Sequence, residues 1–397
     1  MKKTLFLAGL LILGLAVNFS SCSKDNDENN TGGNTGGYDT EEVVTAIESL
    51  DYADFQSSWC NYMKNVAMLL YNDSHLLYES WSVGYNDGPA FAETFKNHNG
   101  NGYTSAEQCV STIIEKMAEI ANEVGEAKIG EPFDTWRAGD HVAAVLAVES
   151  WYSWHSRDDY SNNIRSIQNA YYGKYFGEDE TVTPQQGSLY QLIEQANPDL
   201  NRTVVNAINT AINAIQAIHN PFRNYINTVE TKNAIDACAS LQKVLNNQLR
   251  PVATSLGEDV LSTMVSNYVD HVVLPTYADL DASNLQLKQL VDAFAAAPSD
   301  KGFETLAQAW MDSRRPWETS ESFLFGPVDE LQLDPNMDSW PLDQEGIENC
   351  MKSGNFDSNQ WSEGMSDEAI EAAQALRGFH TLEYLIFKDG KPRKTTK

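Results

Sequence analysis

His380 and Glu383 are the pair of side chains with the most definite chemical potential in this sequence. Residues three positions apart on a helix are neighbours, so both side chains would face one point in space. They interrupt an apolar stripe, and a buried ionisable pair must be hydrogen-bonded, ion-paired or metal-bound. Gly378 lies on the same segment, where a glycine costs about 1 kcal/mol relative to alanine and indicates close approach of another element. The segment predicts a metal site, with a His–Glu pair satisfied within the core as the alternative.

Arg314 marks a second candidate site. The spacing of Trp310, Arg314, Trp317 and Glu321 would place all four side chains on one face of a helix. The forked donors of an arginine fix the position of a carboxylate or hold an anionic ligand. We therefore predict Arg314, Trp317 and Glu321 as ligand-binding residues, with a structural salt bridge beneath the tryptophans as the alternative.

A third candidate site has many oxygen donors at the junction of two predicted helices. These donors are Glu149, Ser150, Ser153, Asp159 and Asn163. Carboxylate, hydroxyl and amide oxygens suit a hard cation, although capping of the second helix explains part of the pattern. We predict Glu149 as a metal ligand, and the other four residues as ligand-binding.

Helices must position these sites, because apolar residues recur with the helical period almost everywhere and strands have little support. In the segment 283–297, Ser283 is the predicted cap and Pro298 the stop. A longer irregular tract is predicted at 326–343. Many helices joined by modest loops are typical of helical bundles. The other helices are predicted at 105–124, 140–154, 158–172, 203–218, 261–273, 301–313 and 366–387.

The first residues have the layout of a bacterial lipoprotein signal. Lys2 and Lys3 precede an apolar run at 5–17, which is too short for a comfortable membrane span. Small residues then lead to Cys22. We predict residues 1–21 as a signal peptide and Cys22 as the lipidated residue that anchors the chain to a membrane.

The segment 22–42 is rich in acidic residues, asparagine, glycine and threonine, which predicts a flexible tether. Its acidic run behind Cys22 resembles the surface-export tag of Bacteroidetes lipoproteins, with a solvated linker carrying no address as the alternative. We therefore expect an outer-membrane lipoprotein that faces the periplasm or the cell surface.

The net charge of the chain excludes one class of partner. It is -29 at pH 7, so the surface repels nucleic acid and attracts cations diffusely. The four cysteines beyond Cys22 are widely spaced and form no Cys-x-x-Cys, so we predict neither a disulfide framework nor a thiolate zinc site.

Gly378, His380 and Glu383 match Gly-x-His-x-x-Glu, and on this motif the chain resembles the imelysin-like family, formerly classed as M75 peptidases. The segment 277–343 resembles the family's opening region, and 149–173 resembles a later region. In the family's usual order the opening region and the histidine motif come first, whereas here they come last. The resemblance therefore implies a circular permutation.

The resemblance also implies an all-α fold of two four-helix bundles side by side, with a functional site at their interface. One bundle would be assembled from 43–90 together with 275–397 and would carry the histidine motif. The other bundle would be formed by 91–274.

The family resemblance implies either iron uptake or metallopeptidase activity. A catalytic zinc site needs about three protein ligands and an activated water, and the sequence contains no His-Glu-x-x-His. One imidazole with several carboxylates suits iron or another hard cation better, with zinc as the second choice. We predict a non-enzymatic metal-binding or uptake protein that works with an outer- or inner-membrane transporter. The alternatives are a metallopeptidase and a surface protein that binds an organic or anionic ligand through Arg314.

Overall fold

The structure is a computed structural model, and it describes residues 50–150, 152–177, 182–362 and 364–396. The predicted signal peptide, the lipidation site Cys22 and the tether lie outside the described residues. Helices dominate the described part, and the strands are two-residue pairs in two short hairpins. The predicted all-α fold class is confirmed.

The α-helices are α1 (Tyr52–Ser82), α2 (Phe91–Lys96), α3 (Ala106–Glu123), α4 (Glu131–Arg137), α5 (His141–Leu146), α6 (Ser156–Tyr172), α7 (Leu189–Ala196), α8 (Pro198–Ala217), α9 (Val229–Val244), α10 (Arg250–Ala253), α11 (Glu258–Tyr268), α12 (Leu274–Ala296), α13 (Asp300–Glu318), α14 (Pro327–Glu330), α15 (Leu333–Asp338), α16 (Gln344–Ser353), α17 (Asp367–Gln374) and α18 (Gly378–Ile386). The π-helical segments are Val124–Gly130, Leu245–Leu249 and Val269–Val273, and the 3₁₀ turns are Phe222–Asn224, Glu321–Phe323 and Asp357–Asn359. The strands are β1 (Gly84–Tyr85), β2 (Gly88–Pro89), β3 (Phe387–Lys388) and β4 (Lys391–Pro392), paired antiparallel as β1 with β2 and β3 with β4.

The first bundle consists of α1, α12, α13 and α18. Helix α1 packs along α12 and α18, and α13 packs along both α12 and α18. The stripe Trp59, Met63, Val66, Leu70 and Leu77 repeats with helical spacing on α1 and is fully buried. Burial of this stripe, rather than helix propensity, holds α1 in place.

The second bundle consists of α3, α6, α8 and α9. Helix α9 packs on α8 and α3, and α6 packs on α8 and α3. Ser105 caps α3 by accepting a hydrogen bond from the backbone N–H of Gln108 at 3.2 Å. The two bundles meet where α6 packs on α13. The predicted residue boundaries between the two bundles stay a prediction.

Helices predicted at 105–124, 158–172 and 203–218 are confirmed as α3, α6 and α8. The predicted start of a helix at Ser283 is wrong, because the helical run continues unbroken from α11 through α12. The Ser283 hydroxyl donates back to the carbonyl oxygen of Leu280 at 3.1 Å, so it is satisfied inside the helix.

The predicted helix 140–154 is also wrong, since α5 ends at Leu146 and an irregular segment follows. Ser150 and Trp154 have φ values of 50° and 62°, in the left-handed region. Val142, an apolar residue of α5, is 52% exposed. Tertiary hydrogen bonds of Ser150 and Ser153, described below, stabilise the irregular backbone in place of a helix.

The predicted helix 366–387 is interrupted at Gly378, whose φ of +85° is unfavourable for other residues. A Cβ atom on Gly378 would lie 2.3 Å from the carbonyl oxygen of Met337, so the predicted close approach of another element is confirmed. Gly378 begins α18 instead of lying in a helix interior. His380 and Glu383 are therefore on a short helix of their own.

The predicted common face of Arg314 and Glu321 is wrong in part, because α13 ends at Glu318 and Glu321 begins a 3₁₀ turn. The hydroxyl of Ser320 donates to the carbonyl oxygen of Trp317 at 2.6 Å, which satisfies an acceptor at the helix end.

Among the described helices, none combines the length and hydropathy that a membrane crossing requires.

Candidate functional site

The buried guanidinium of Arg314 is the centre of a polar network between the bundles. Its Nε atom lies 3.3 Å from Oδ2 of Asp159, and its Nη2 atom lies 2.6 Å from Oε1 of Glu318. Its Nη1 atom pairs with Oδ1 of Asp338. All three guanidinium nitrogens therefore contact carboxylates, which come from α6, α13 and α15.

Asp338 receives donors on both of its carboxylate oxygens. The indole N–H of Trp317 donates to Oδ2 at 2.7 Å, and Nε2 of His380 lies 3.1 Å from Oδ1. Burial raises the pKa of Asp338, but Arg314 and His380 outweigh it and hold the pKa well below its usual range. Asp338 is therefore a fixed carboxylate anion.

His380 lies between two carboxylates. Its Nδ1 atom lies 3.0 Å from Oε2 of Glu383, while its Nε2 atom faces Asp338. Burial and Arg314 lower the pKa of His380, but Asp338 and Glu383 outweigh them and raise it to about 9. Both ring nitrogens then carry protons at neutral pH, so the ring donates to two anions.

Ser153 and Ser150 bring the irregular segment after α5 into this network. Ser153 donates to Oε1 of Glu383 from its backbone N–H at 2.8 Å and from its hydroxyl at 2.7 Å. The hydroxyl of Ser150 donates to Oδ2 of Asp159 at 2.6 Å. The left-handed backbone of Ser150 thus positions side chains that face the other bundle.

His155 is a network residue that the sequence analysis missed. Its Nδ1 atom lies 2.7 Å from Oδ1 of Asp159. Burial raises the pKa of Asp159, but His155 and Arg314 outweigh it, and the pKa lies below its usual value. Burial lowers the pKa of His155, yet Asp159 raises it overall. His155 immediately precedes α6 and Asp159 lies in the first turn of that helix, so their four-residue spacing was the available signal.

Glu318, Glu321 and Asp338 form a possible metal centre. One carboxylate oxygen from each residue lies within 4.8 Å of the others, although the residues belong to α13, a 3₁₀ turn and α15. The amide of Asn163 and the guanidinium of Arg314 contact Glu318. Burial, opposed by Arg314, raises the pKa of Glu318 to about 8. The negative charge of these carboxylates is therefore only partly compensated by the neighbouring donors.

Glu321 is the least satisfied member of this group. It is 8% exposed and lines a cleft, and among the described residues it has no hydrogen-bond or salt-bridge partner. Burial raises the pKa of Glu321 well above its usual value, and the charge of Lys128 opposes this rise. Lys128 is therefore too weak a cationic partner to offset the cost of burying the charged form of Glu321.

The cleft beside Glu321 has a volume of about 400 Å³ and is strongly acidic. Glu149 lies in its wall and pairs with Lys128, whose Nζ atom is 3.1 Å from Oε2 of Glu149. The charged residues that line the cleft are Glu119, Glu123, Glu149, Glu321, Asp329, Asp334, Asp338, Lys116 and Lys128. This excess of carboxylates attracts cations.

The structure brings most of the predicted site residues into one connected network. The members of this network are Ser150, Ser153, Asp159, Asn163, Arg314, Trp317, His380 and Glu383. Glu149 and Glu321 instead line the cleft, and the partner of Glu149 is Lys128. Glu318 and Asp338 were not predicted as site residues from the sequence. Glu318 lies four residues after Arg314, which was a usable signal.

The family model for Imelysin matches residues 37–251 and 273–397 of this chain. The chain belongs to the imelysin family. An imelysin peptidase from Bacteroides ovatus, known from a crystal structure, is 48% identical, with a TM-score of 0.85 over 88% of this chain and 100% of that chain. The circular permutation of the imelysin segments stays a prediction.

A second similarity is to iron-regulated protein A of Synechococcus elongatus. The two chains are 28% identical over 156 residues, which is 39% of this chain and 36% of that protein. The match therefore spans little more than a third of the length of this curated relative.

Proposed function

We propose that this imelysin-family protein captures a metal cation, with iron favoured and zinc as the second choice, as a step in metal uptake. The observation that carries the proposal is the convergence of Glu318, Glu321 and Asp338 beside an acidic cleft. Oxygen donors suit hard and borderline cations such as iron. The relation to a protein described as iron-regulated supports the choice of iron.

The charge balance of the site supports a cation as its ligand. Arg314 and Lys128 compensate only part of the buried negative charge, since the pKa values of Glu318 and Glu321 are both raised. A bound metal ion would supply the missing positive charge and the coordination that Glu321 lacks. Metal binding would thus offset the free-energy cost of burying the carboxylates of Glu318 and Glu321.

His380 and Glu383 act in this proposal through Asp338. Because both nitrogens of His380 face carboxylates, the imidazole orients Asp338 instead of presenting a lone pair to the cleft. Hydrogen-bonding residues behind a ligand commonly set its orientation and the affinity for the metal. Glu149, in the cleft wall, is the additional carboxylate that we propose from the other bundle.

We favour binding over peptide hydrolysis because the three converging donors are carboxylates beside an arginine and include no imidazole. A hydrolytic zinc site requires ligands that leave an open position for an activated water. Binding of an organic anion through Arg314 is disfavoured, since each of its guanidinium nitrogens already contacts a carboxylate. The peptidase remains the second candidate because a close structural relative is described as one.

The test of the proposal is a calorimetric titration of the chain lacking residues 1–22 with anaerobic ferrous iron, ferric iron and zinc. We expect one tightly bound metal ion per chain, and its loss in Glu321→Gln. Glu119→Gln is the matched control, because Glu119 lines the same cleft with a side chain that is 53% exposed. Absence of binding to the unsubstituted chain, or equal binding by Glu321→Gln, would reject the proposal. Hydrolysis of denatured casein that is lost in Glu321→Gln would favour the peptidase.

We also propose that lipidation at Cys22 holds the protein at the outer membrane, where it passes metal to a membrane transporter. Metabolic labelling with a palmitate analogue should mark the full chain and leave Cys22→Ser unmarked. Equal labelling of both chains would refute the anchor without affecting the metal site.

A further inference from the structure

Lys128 is a buried cation within the acidic cleft, with 7% of its surface exposed. Its Nζ atom lies 3.1 Å from Oε2 of Glu149 and 3.8 Å from Oε1 of Glu123. It lines the same cleft as Glu321 and Asp338. The cleft that leads to the carboxylates of Glu318, Glu321 and Asp338 therefore already contains the positive charge of Lys128.

The backbone at Lys128 is held in an unusual conformation. Lys128 lies on the π-helical segment Val124–Gly130, which continues α3 into α4. A Cβ atom on Gly125 would lie 2.9 Å from Cβ of Cys238 on α9, and one on Gly130 would lie 2.6 Å from the carbonyl oxygen of Gly125. Such widened turns are frequent at functional sites, and close packing here fixes the direction in which Lys128 leaves the helix.

Lys116 provides a comparison within the same cleft. It also lines the cleft, but its Nζ atom pairs with Glu119 one turn away on α3 at 2.6 Å, and its side chain is 28% exposed. Lys116 is thus a partly exposed cation paired within its own helix, whereas Lys128 spans from a π-helical segment to the irregular segment that carries Glu149.

We propose that Lys128 is a tethered competitor for the metal, which offsets part of the negative charge of the cleft when no metal is bound and keeps metal binding weak enough for release. The proposal rests on the metal-capture function. Two cations in one cleft repel each other, so the ammonium group lowers the affinity for an entering ion. A capture protein that hands on its metal needs such reversibility.

The experiment measures dissociation constants for anaerobic ferrous iron and for zinc by calorimetry, with the full chain purified in detergent. Removing the charge in Lys128→Met should tighten binding by at least about tenfold, as expected when a unit positive charge is removed from the cleft that the metal enters. Lys116→Met and Lys128→Arg should each stay within about threefold of the unsubstituted chain. A structural role for Lys128 would instead predict weaker binding by Lys128→Met.

A second set of variants tests the proposal if Lys128→Met does not fold. That single change leaves the Glu149 carboxylate without its cationic partner. In Lys128→Met/Glu149→Gln both members of the pair are neutral, so no unpaired charge replaces the salt bridge. This double variant should bind metal at least about tenfold more tightly than Glu149→Gln alone. Equal affinities of these two chains would overturn the proposal.

The outcomes separate this proposal from the proposed function. Metal binding that is lost in Glu321→Gln but unchanged or weakened in Lys128→Met overturns the role of Lys128 and leaves metal capture standing. Binding by Lys128→Met alone supports the competitor and rejects capture by the natural chain. No binding by any of the chains overturns both.

Discussion

Nε2 of His380 lies 3.1 Å from Oδ1 of Asp338. This contact joins the histidine of the family motif on α18 to a carboxylate at the end of α15, and Asp338 in turn faces the cleft. Gly378 allows the contact, because its missing side chain lets α18 approach the carbonyl oxygen of Met337. The histidine of the motif therefore contacts the candidate metal centre through an aspartate that lies outside the motif.

The first prediction concerns His380. Replacing it with alanine should weaken metal binding by about 10- to 100-fold without abolishing it, since Asp338 would lose an orienting partner but keep Arg314 and Trp317. Calorimetry measures the affinity, and circular dichroism checks that helical content is retained. His75→Ala is the control, because His75 lies on α1 with a side chain that is 41% exposed, and it pairs with Asp281 of α12. An unchanged affinity in His380→Ala would contradict this role.

The second prediction concerns Gly378. Gly378→Ala should lower the free energy of unfolding by about 2–4 kcal/mol, from left-handed backbone strain together with the clash against Met337. Gly102 is a matched control, because it has the same φ of +85° but open space around its Cβ position. Gly102→Ala should cost only about 1–2 kcal/mol in urea unfolding. Equal losses for the two variants would show that the close approach does not matter.

The third prediction is that metal binding releases protons at neutral pH. Burial, opposed by Arg314, raises the pKa of Glu318 to about 8, and burial also raises that of Glu321. Glu318 is then largely protonated at neutral pH without metal, the raised pKa of Glu321 acts in the same direction, and a metal requires the anions of both groups. Affinity should therefore rise as the pH increases from 6 to 8. Titrations in two buffers of different ionisation enthalpy count the released protons, and a count of zero would contradict the prediction.

Much of the fold is predictable from the sequence, because burial of apolar stripes decides helices such as α3, α6 and α8. The irregular segment after α5 is not, since distant partners of Ser150 and Ser153 stabilise it and local periodicity carries no information about them. The backbone conformation of Gly378 likewise could not be predicted from local periodicity. Its close neighbour was predicted, but its positive φ, which ends one helix and begins another, depends on packing against Met337.

The candidate site is predictable where a polar residue interrupts an apolar stripe, as at Arg314, His380 and Glu383. Asp338 was missed because it lies in the tract predicted to be irregular, where no stripe exists for it to interrupt. Lys128 was missed for a different reason. A single lysine on a helix normally lies at the surface, and neither the π-helical segment that carries Lys128 nor the cleft beside it is visible in the sequence.

The most direct test of the central claim is anomalous diffraction from crystals grown with ferrous iron, recorded on both sides of the iron absorption edge. We expect a single strong peak roughly 2.0–2.2 Å from carboxylate oxygens of Glu318, Glu321 and Asp338, as for carboxylate ligation of such metals. His380 should remain hydrogen-bonded to Asp338. A peak bonded to His380 and Glu383 instead, or no peak in the cleft, would contradict the account.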